Sequence, residues 1–90
     1  MNFEWDMEKA RNNLRKHGVG FMEASSVFYD PLAVTGLDPD HSIGEERLIT
    51  YGMSSLGRLL LVVHTERGEN LRIITARVAT ANERVIYEEG

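Results

Sequence analysis

Arginine recurs through the second half of this chain in places where apolar residues would be expected. The segment from Arg58 to Tyr87 reads RLLLVVHTERGENLRIITARVATANERVIY, with Arg58, Arg67, Arg72 and Arg77 set among Leu, Ile and Val, and Arg84 beyond them. His64 lies within the same stretch. A guanidinium is a planar fork of donors that matches phosphate and carboxylate oxygens alike. Repeating it through strand-like segments makes sense if a sheet face, or the strand ends, must meet an anion. For so small a protein, RNA phosphate is the first candidate for that anion.

The elements that must position these groups follow from local signals. Residues 2–5 suit a short strand or an N-terminal clip. Asp6 is a natural N-cap, and Met7, Ala10, Leu14 and His17 share a helical face that predicts an inward stripe. Gly18 closes that helix, with Arg15, Lys16 and His17 favourable at its C-terminal dipole. Phe21, Ala24, Val27 and Phe28 predict a second short helix, stopped at Asp30-Pro31. Gly20 offers no side-chain cap at its start. Strands are expected over residues 32–37, 47–53, 58–66 and 71–78, with a loop over 38–44 and turns at 54–57 and 67–70. Thr80-Ala81-Asn82-Glu83 has the capping-box pattern, and a last helix should run to about Glu89. Consecutive strands on short turns give an antiparallel meander. The expected class is α+β: a small antiparallel sheet of about four main strands plus a short N-terminal strand, two N-terminal helices and one C-terminal helix. The helices should cover one face and leave all or part of the other open.

Strand alternation sorts the candidate residues. Thr65 and Arg67 share one parity, as do Thr75 and Arg77, and these four form a candidate face. Arg58, His64 and Arg72 fall opposite, nearer the sheet ends. A bulge would change this sorting.

Composition sets outer bounds. Ninety residues suit one domain, 1–90, with a modest core. No cysteine is present, which excludes disulfides, thiolate nucleophiles and Cys-bound zinc. The longest apolar run, Leu59–Val63, is far too short for a bilayer, and MNFEWDMEK lacks a signal core; a cytoplasmic protein without a membrane role is expected. The net charge of -4 argues against general nucleic-acid affinity, but its distribution is uneven. Residues 23–46 carry six acids and no Lys or Arg, whereas residues 58–84 carry five Arg against three Glu. RNA could read the arginines and a basic protein the acidic stretch.

Asp38, Asp40 and His41 match no metal-ligand spacing, and no metal or other cofactor is expected. The glycine pairs lack a following Lys-Ser/Thr. Ser54 and Ser55 lack the glycine frame of a nucleophile elbow.

The chain resembles the BrnT toxins of bacterial type II toxin–antitoxin modules. The matching pieces run almost end to end: FEWD at 3–6, Lys9 and Asn13, LRKHGV at 14–19, VF-x-DP at 27–31, D-x-D-H-S at 38–42, GMSS-x-GR at 52–58, VVHTERG at 62–68 and ER-x-x-YEEG at 83–90. Gly20 and Thr75 depart from the usual residues, although Thr75 keeps a hydroxyl where Ser is usual. The resemblance implies a RelE-like fold and a toxic endoribonuclease that stops protein synthesis. It also implies a BrnA-type antitoxin, in a heterotetramer of two toxins and two antitoxins that would meet operator DNA only through the antitoxin.

Metal-independent RNA cleavage by the 2′-hydroxyl needs a base, charge stabilisation at phosphorus and an acid for the leaving 5′-oxygen. The expected roles are Arg67 and Arg77 as phosphate clamp and Arg72 as a further donor. His64, Glu66 or His17 would serve as acid or base, and Tyr87 as a hydroxyl or stacking group. Arg58, Thr65 and Thr75 are expected to contact RNA. Each has a structural alternative. Arg67 can be a solvated turn residue, Arg77 can pair with Glu83 and Arg72 can bridge strands. His17 can cap carbonyls, His64 can be a packed imidazole and Tyr87 can be core with a wet hydroxyl. Trp5 reads as a core anchor. The arginines by themselves also fit a non-catalytic protein-interaction module or an RNA-binding module.

Overall fold

The computed structural model describes residues 1–39 and 46–90. The expected loop therefore lies outside the described residues from Asp40 on, and Asp40 and His41 with it. The order is β1 (Asn2–Glu4), α1 (Met7–His17), α2 (Phe21–Ser25), a 3-10 turn (Ser26–Tyr29), β2 (Val34–Leu37), β3 (Leu48–Met53), β4 (Leu59–Arg67), β5 (Asn70–Val78) and α3 (Ala81–Glu89). The strands form one sheet in the order β1-β5-β4-β3-β2. Strands β2 to β5 are the expected antiparallel meander. β1 adds to β5 in parallel, which makes the sheet mixed. The fold is α+β, with three α-helices among the described residues.

Caps form where the sequence places them. Asp6 accepts from the Lys9 amide at 2.9 Å, and Gly18 closes α1 at φ 70°. Thr80 and Glu83 make the reciprocal capping box. Gly20 starts α2 without a side-chain bond, and this helix tightens into the 3-10 turn after one turn and a half.

The core lies between the sheet and α1–α2. Val19, Phe21, Ala24 and Val27 pack on Leu60, Val62, Ile73 and Ala76, with Phe3, Trp5, Ala10, Phe28 and Leu71 at the margin. Trp5 stands edge-on to Phe21 at 6.0 Å, as an anchor should. Gly52 permits the closest approach, since a Cβ there would stand 2.9 Å from the Val27 Cβ and 3.0 Å from its carbonyl oxygen.

The inward face of α1 differs from expectation. Met7 and Leu14 are 66% and 55% exposed, while Asn13 is buried. The helix is rotated so that Ala10 and Asn13 point at the sheet. Asn13 then satisfies the edge of β5 beyond the short β1. Its Nδ2 donates to the Ala76 carbonyl at 2.8 Å, and its Oδ1 accepts from the Ala76 amide at 3.1 Å. One side-chain amide thus replaces a strand neighbour.

α3 lies on the other face. Arg77 and Tyr51 share that face through the cross-strand row Tyr51–Leu61–Arg77, and Glu83 of α3 pairs with Arg77. The expectation that all helices share one face is corrected: the sheet has helices on both sides, and α3 takes part of the face expected to be open. Among the described residues, no helix is long and apolar enough to cross a membrane.

Candidate functional site

β5 carries an irregularity that regroups the arginines. Val63 pairs with Thr75, yet the next residue, His64, pairs with Ile73, so Ile74 is an extra residue in β5. Residues opposite each other in an antiparallel pair share a face. Thr65 opposes Arg72, Val63 opposes Thr75 and Leu61 opposes Arg77. The bulge therefore corrects the parity expected for Arg72, which joins Thr75 and Arg77 on one face. Bulges often stand beside active sites because they re-aim a side chain.

Beside the bulge, α1 and β5 enclose a cleft of about 200 Å³ lined by Lys9, Asn12, Asn13, Lys16, His17, Ile74 and Thr75. Three of the seven carry basic nitrogens. The volume is below the 300–1,000 Å³ usual for small-molecule pockets. Lys9, Asn12 and Lys16 follow helical spacing on one polar stripe; that spacing was the available signal for these residues, which the sequence reading did not assign to a site. His17 and Thr75 are the two expected site residues that meet in this cleft. Arg72 and Arg77 flank Thr75 along β5.

Asn13 organises the floor. Besides its two bonds to Ala76, its Nδ2 donates to the Val19 carbonyl at 2.9 Å, and its Oδ1 accepts from the Thr75 hydroxyl at 2.9 Å. All four hydrogen-bonding positions of the amide are used.

The other expected site residues lie elsewhere. His64 is 3% exposed, with Nε2 2.7 Å from the Thr50 hydroxyl and its ring edge-on to Phe28 at 4.8 Å. The Thr50 hydroxyl lies in turn 2.7 Å from that of Thr35. Burial pushes the imidazole down to about 4, so it is neutral near pH 7 and packed as a core residue; an acid–base role on RNA needs a reach to the surface that this position lacks. Thr65 is 2% exposed and donates to the Glu46 carbonyl at 2.8 Å, so its hydroxyl does not face outward. Glu66 and Arg67 are exposed at the hairpin end of β4. Arg58 is drawn to the helix side, donating to Glu23 and to the Gly18 carbonyl. Tyr87 donates to Asp30 Oδ2 at 2.7 Å, and this bond raises the phenol.

Among the described residues, Arg58, Arg72 and Arg77 each hold a carboxylate. Arg58 pairs with Glu23. Arg72 reaches Glu4 at 2.6 Å. Arg77 grips Glu83 bidentately, both bonds at 2.8 Å. The last pair holds the Glu83 carboxyl down at about 2, chiefly through the Arg77 fork. Glu4 is lowered by Asn70 first and then Arg72. Among the described residues, no three His, Asp or Glu side chains stand together as metal ligands.

The family model described as the ribonuclease toxin BrnT of type II toxin–antitoxin systems matches residues 5–83. The crystal structure of the Brucella abortus ribonuclease toxin BrnT superposes with a TM-score of 0.65 at 24% identity, covering 89% of this chain and 97% of that one. At that identity the likeness speaks for the fold. No curated protein matches the chain.

Proposed function

Since this chain belongs to the BrnT family of ribonuclease toxins from type II toxin–antitoxin systems, we propose that it cleaves RNA through the ribose 2′-hydroxyl, without a metal, at the cleft between α1 and β5. The observation that carries this reading is the convergence of His17, Lys9 and Lys16 with Thr75 on one small concave surface.

In the proposed reaction His17 removes the 2′-hydroxyl proton. The O2′–P bond forms as the P–O5′ bond breaks, and a water entering the cleft gives a proton to the departing 5′-oxygen and receives one in turn from the His17 imidazolium, so the net transfer runs from O2′ to O5′. The products are a 2′,3′-cyclic phosphate and a free 5′-hydroxyl. Lys9 and Lys16 lower the cost of charge on the phosphate. Arg72 and Arg77 hold flanking phosphates by exchanging their carboxylate partners, and Arg67 extends the basic track toward the hairpin. Cleavage of cellular RNA in the cytoplasm would halt protein synthesis. The family implies an antitoxin; we assign that role to a BrnA-type protein, with the two-plus-two assembly that the resemblance implies.

The test is purified protein on a defined single-stranded RNA in EDTA, with the product ends identified. Unmodified RNA should be cut to cyclic-phosphate ends, and His17→Ala should slow cutting by roughly 10²–10⁴-fold, the usual worth of a general base. A His17→Ala protein as fast as the parent would remove the cleft from the mechanism. Dependence on added divalent metal would remove the metal-free chemistry.

A further inference from the structure

The geometry points to Thr75 as the residue that distinguishes RNA from DNA, acting as a hydrogen-bond acceptor for the ribose 2′-hydroxyl. This inference rests on the cleft proposed above and specifies what it recognises.

A threonine hydroxyl normally rotates, and can donate to a phosphate as readily as it accepts from a donor. Thr75 lacks that freedom because of Asn13. The Asn13 amide orientation is fixed by main-chain groups: Nδ2 faces the carbonyls of Val19 and Ala76, and Oδ1 faces the Ala76 amide hydrogen. A flipped amide would set NH2 against N–H and oxygen against two carbonyl oxygens. Only an acceptor therefore faces Thr75 Oγ1, and the hydroxyl must spend its hydrogen on Asn13 at 2.9 Å. Asn13 is 6% exposed, so water does not compete freely for this bond.

The consequence is a polarity imposed on the cleft wall. With its hydrogen committed to Asn13, Thr75 Oγ1 has only lone pairs to offer the cleft that Thr75 lines with Lys9, Lys16 and His17. Among the described residues no side chain donates to it. Phosphate oxygens only accept, so Thr75 cannot bind the phosphate that the lysines attract. The group it fits is a hydrogen-bond donor close along the chain to a backbone phosphate. In a nucleic acid that group is the 2′-hydroxyl, which DNA lacks. Accepting from it would hold the 2′-oxygen beside His17 in the bound state, and the single hydroxyl hydrogen turns from Thr75 to the imidazole when His17 removes it. Thr75 is thus a positioning and specificity residue, and Asn13 sets its polarity.

The test uses short oligonucleotides that resist cleavage and differ only at the 2′ position: 2′-amino, a donor, at mildly alkaline pH where the amine is uncharged; 2′-fluoro, without a donor; and 2′-deoxy. Binding is read by fluorescence anisotropy with the parent protein, Thr75→Val and Thr75→Ser. The parent should prefer 2′-amino over both others by roughly five- to tenfold, the worth of one good hydrogen bond. Thr75→Val should bring that ratio to about one, and Thr75→Ser should keep it. A parent without the preference overturns the assignment, and so does a Thr75→Val protein that retains it. Cleavage of unmodified RNA by the parent, run in parallel, reports separately on the ribonuclease reading: intact cleavage with no 2′-donor preference sinks the role of Thr75 alone.

Discussion

At the scale of single residues, His64 shows how burial overrides a chemical type. The sequence offers an imidazole beside arginines, and alternation alone does not say which side of the sheet is covered. The fold turns it inward, bonds it to Thr50 and buries Nδ1 with no hydrogen-bond partner among the described residues. Its depressed value makes it a liability in acid. The unfolded chain takes up a proton near pH 6.5, whereas the folded chain resists protonation until about pH 4. The unfolded state then binds more protons across this window, so stability falls as pH drops from 6.5 toward 4, by up to roughly 3 kcal/mol. The lowered carboxylates act mostly below this range, since Glu4, Glu23 and Glu83 start from 4.5. Urea midpoints measured from pH 7 to pH 4 should show the loss, and a His64→Asn protein should lack that slope whatever its absolute stability. An unchanged slope in the variant would mean that His64 titrates normally. Arg77 and Arg72 carry the same lesson. The Arg77–Glu83 pair was visible in the sequence as a structural alternative, and for Arg72 a bridge between strands was, but Glu4 as its partner emerges only once β1 lies beside β5.

Among the elements, α3 and β3 have opposite characters. The residues of α3 include none that is buried, and Val85 and Ile86 are each 46% exposed. Its attachment rests on polar links, chiefly Glu83, which binds both Arg77 and the Thr80 amide, and Tyr87 on Asp30. Glu83→Ala removes the fork and half of the capping box, so it should cost about 1–2 kcal/mol. Hydrogen exchange should show α3 amides losing protection while β4 and β5 keep theirs; equal loss throughout would mean that α3 is not a separate unit. β3, by contrast, is held by apolar contact. Gly52→Ala drives a methyl group into the Val27 side chain and main chain, and should cost about 1–3 kcal/mol as overpacking, read as a lower urea midpoint with unchanged slope. Every helix and strand was legible from caps, alternation and turn residues, the short N-terminal strand included, although not its parallel pairing with β5. What escaped was set by neighbours in space: the Ile74 bulge that carries Arg72 across the sheet, the rotation of α1 that buries Asn13, and the placing of α3 on the second face. The Lys9–Asn12–Lys16 stripe was present in the spacing, yet it gains meaning only once β5 lies beside it.

For the molecule as a whole, the difficulty is that a chain of net charge -4 must attract a polyanion. The described residues span 29 × 27 × 24 Å, about three times the Debye length of roughly 8 Å at physiological ionic strength. A cleft lined by Lys9, Lys16 and His17 can therefore act on a phosphate almost independently of acids on the far side. Binding should depend on salt through the few phosphates in local contact, not through net charge. For a single strand, the slope of log affinity against log salt is about -0.7 per neutralised phosphate. Lys9→Ala and Lys16→Ala should each reduce the steepness by about 0.7, measured with a cleavage-resistant 2′-fluoro oligonucleotide between low and physiological salt. Glu89→Gln, which shifts net charge by the same amount as a lysine loss but in the opposite sense, should leave the slope unchanged because Glu89 is exposed on α3 and outside the cleft. If Glu89→Gln steepened the slope as much as either lysine change flattened it, net charge would govern the encounter. The α1–β5 cleft would then lose its claim as the place where RNA phosphate is held.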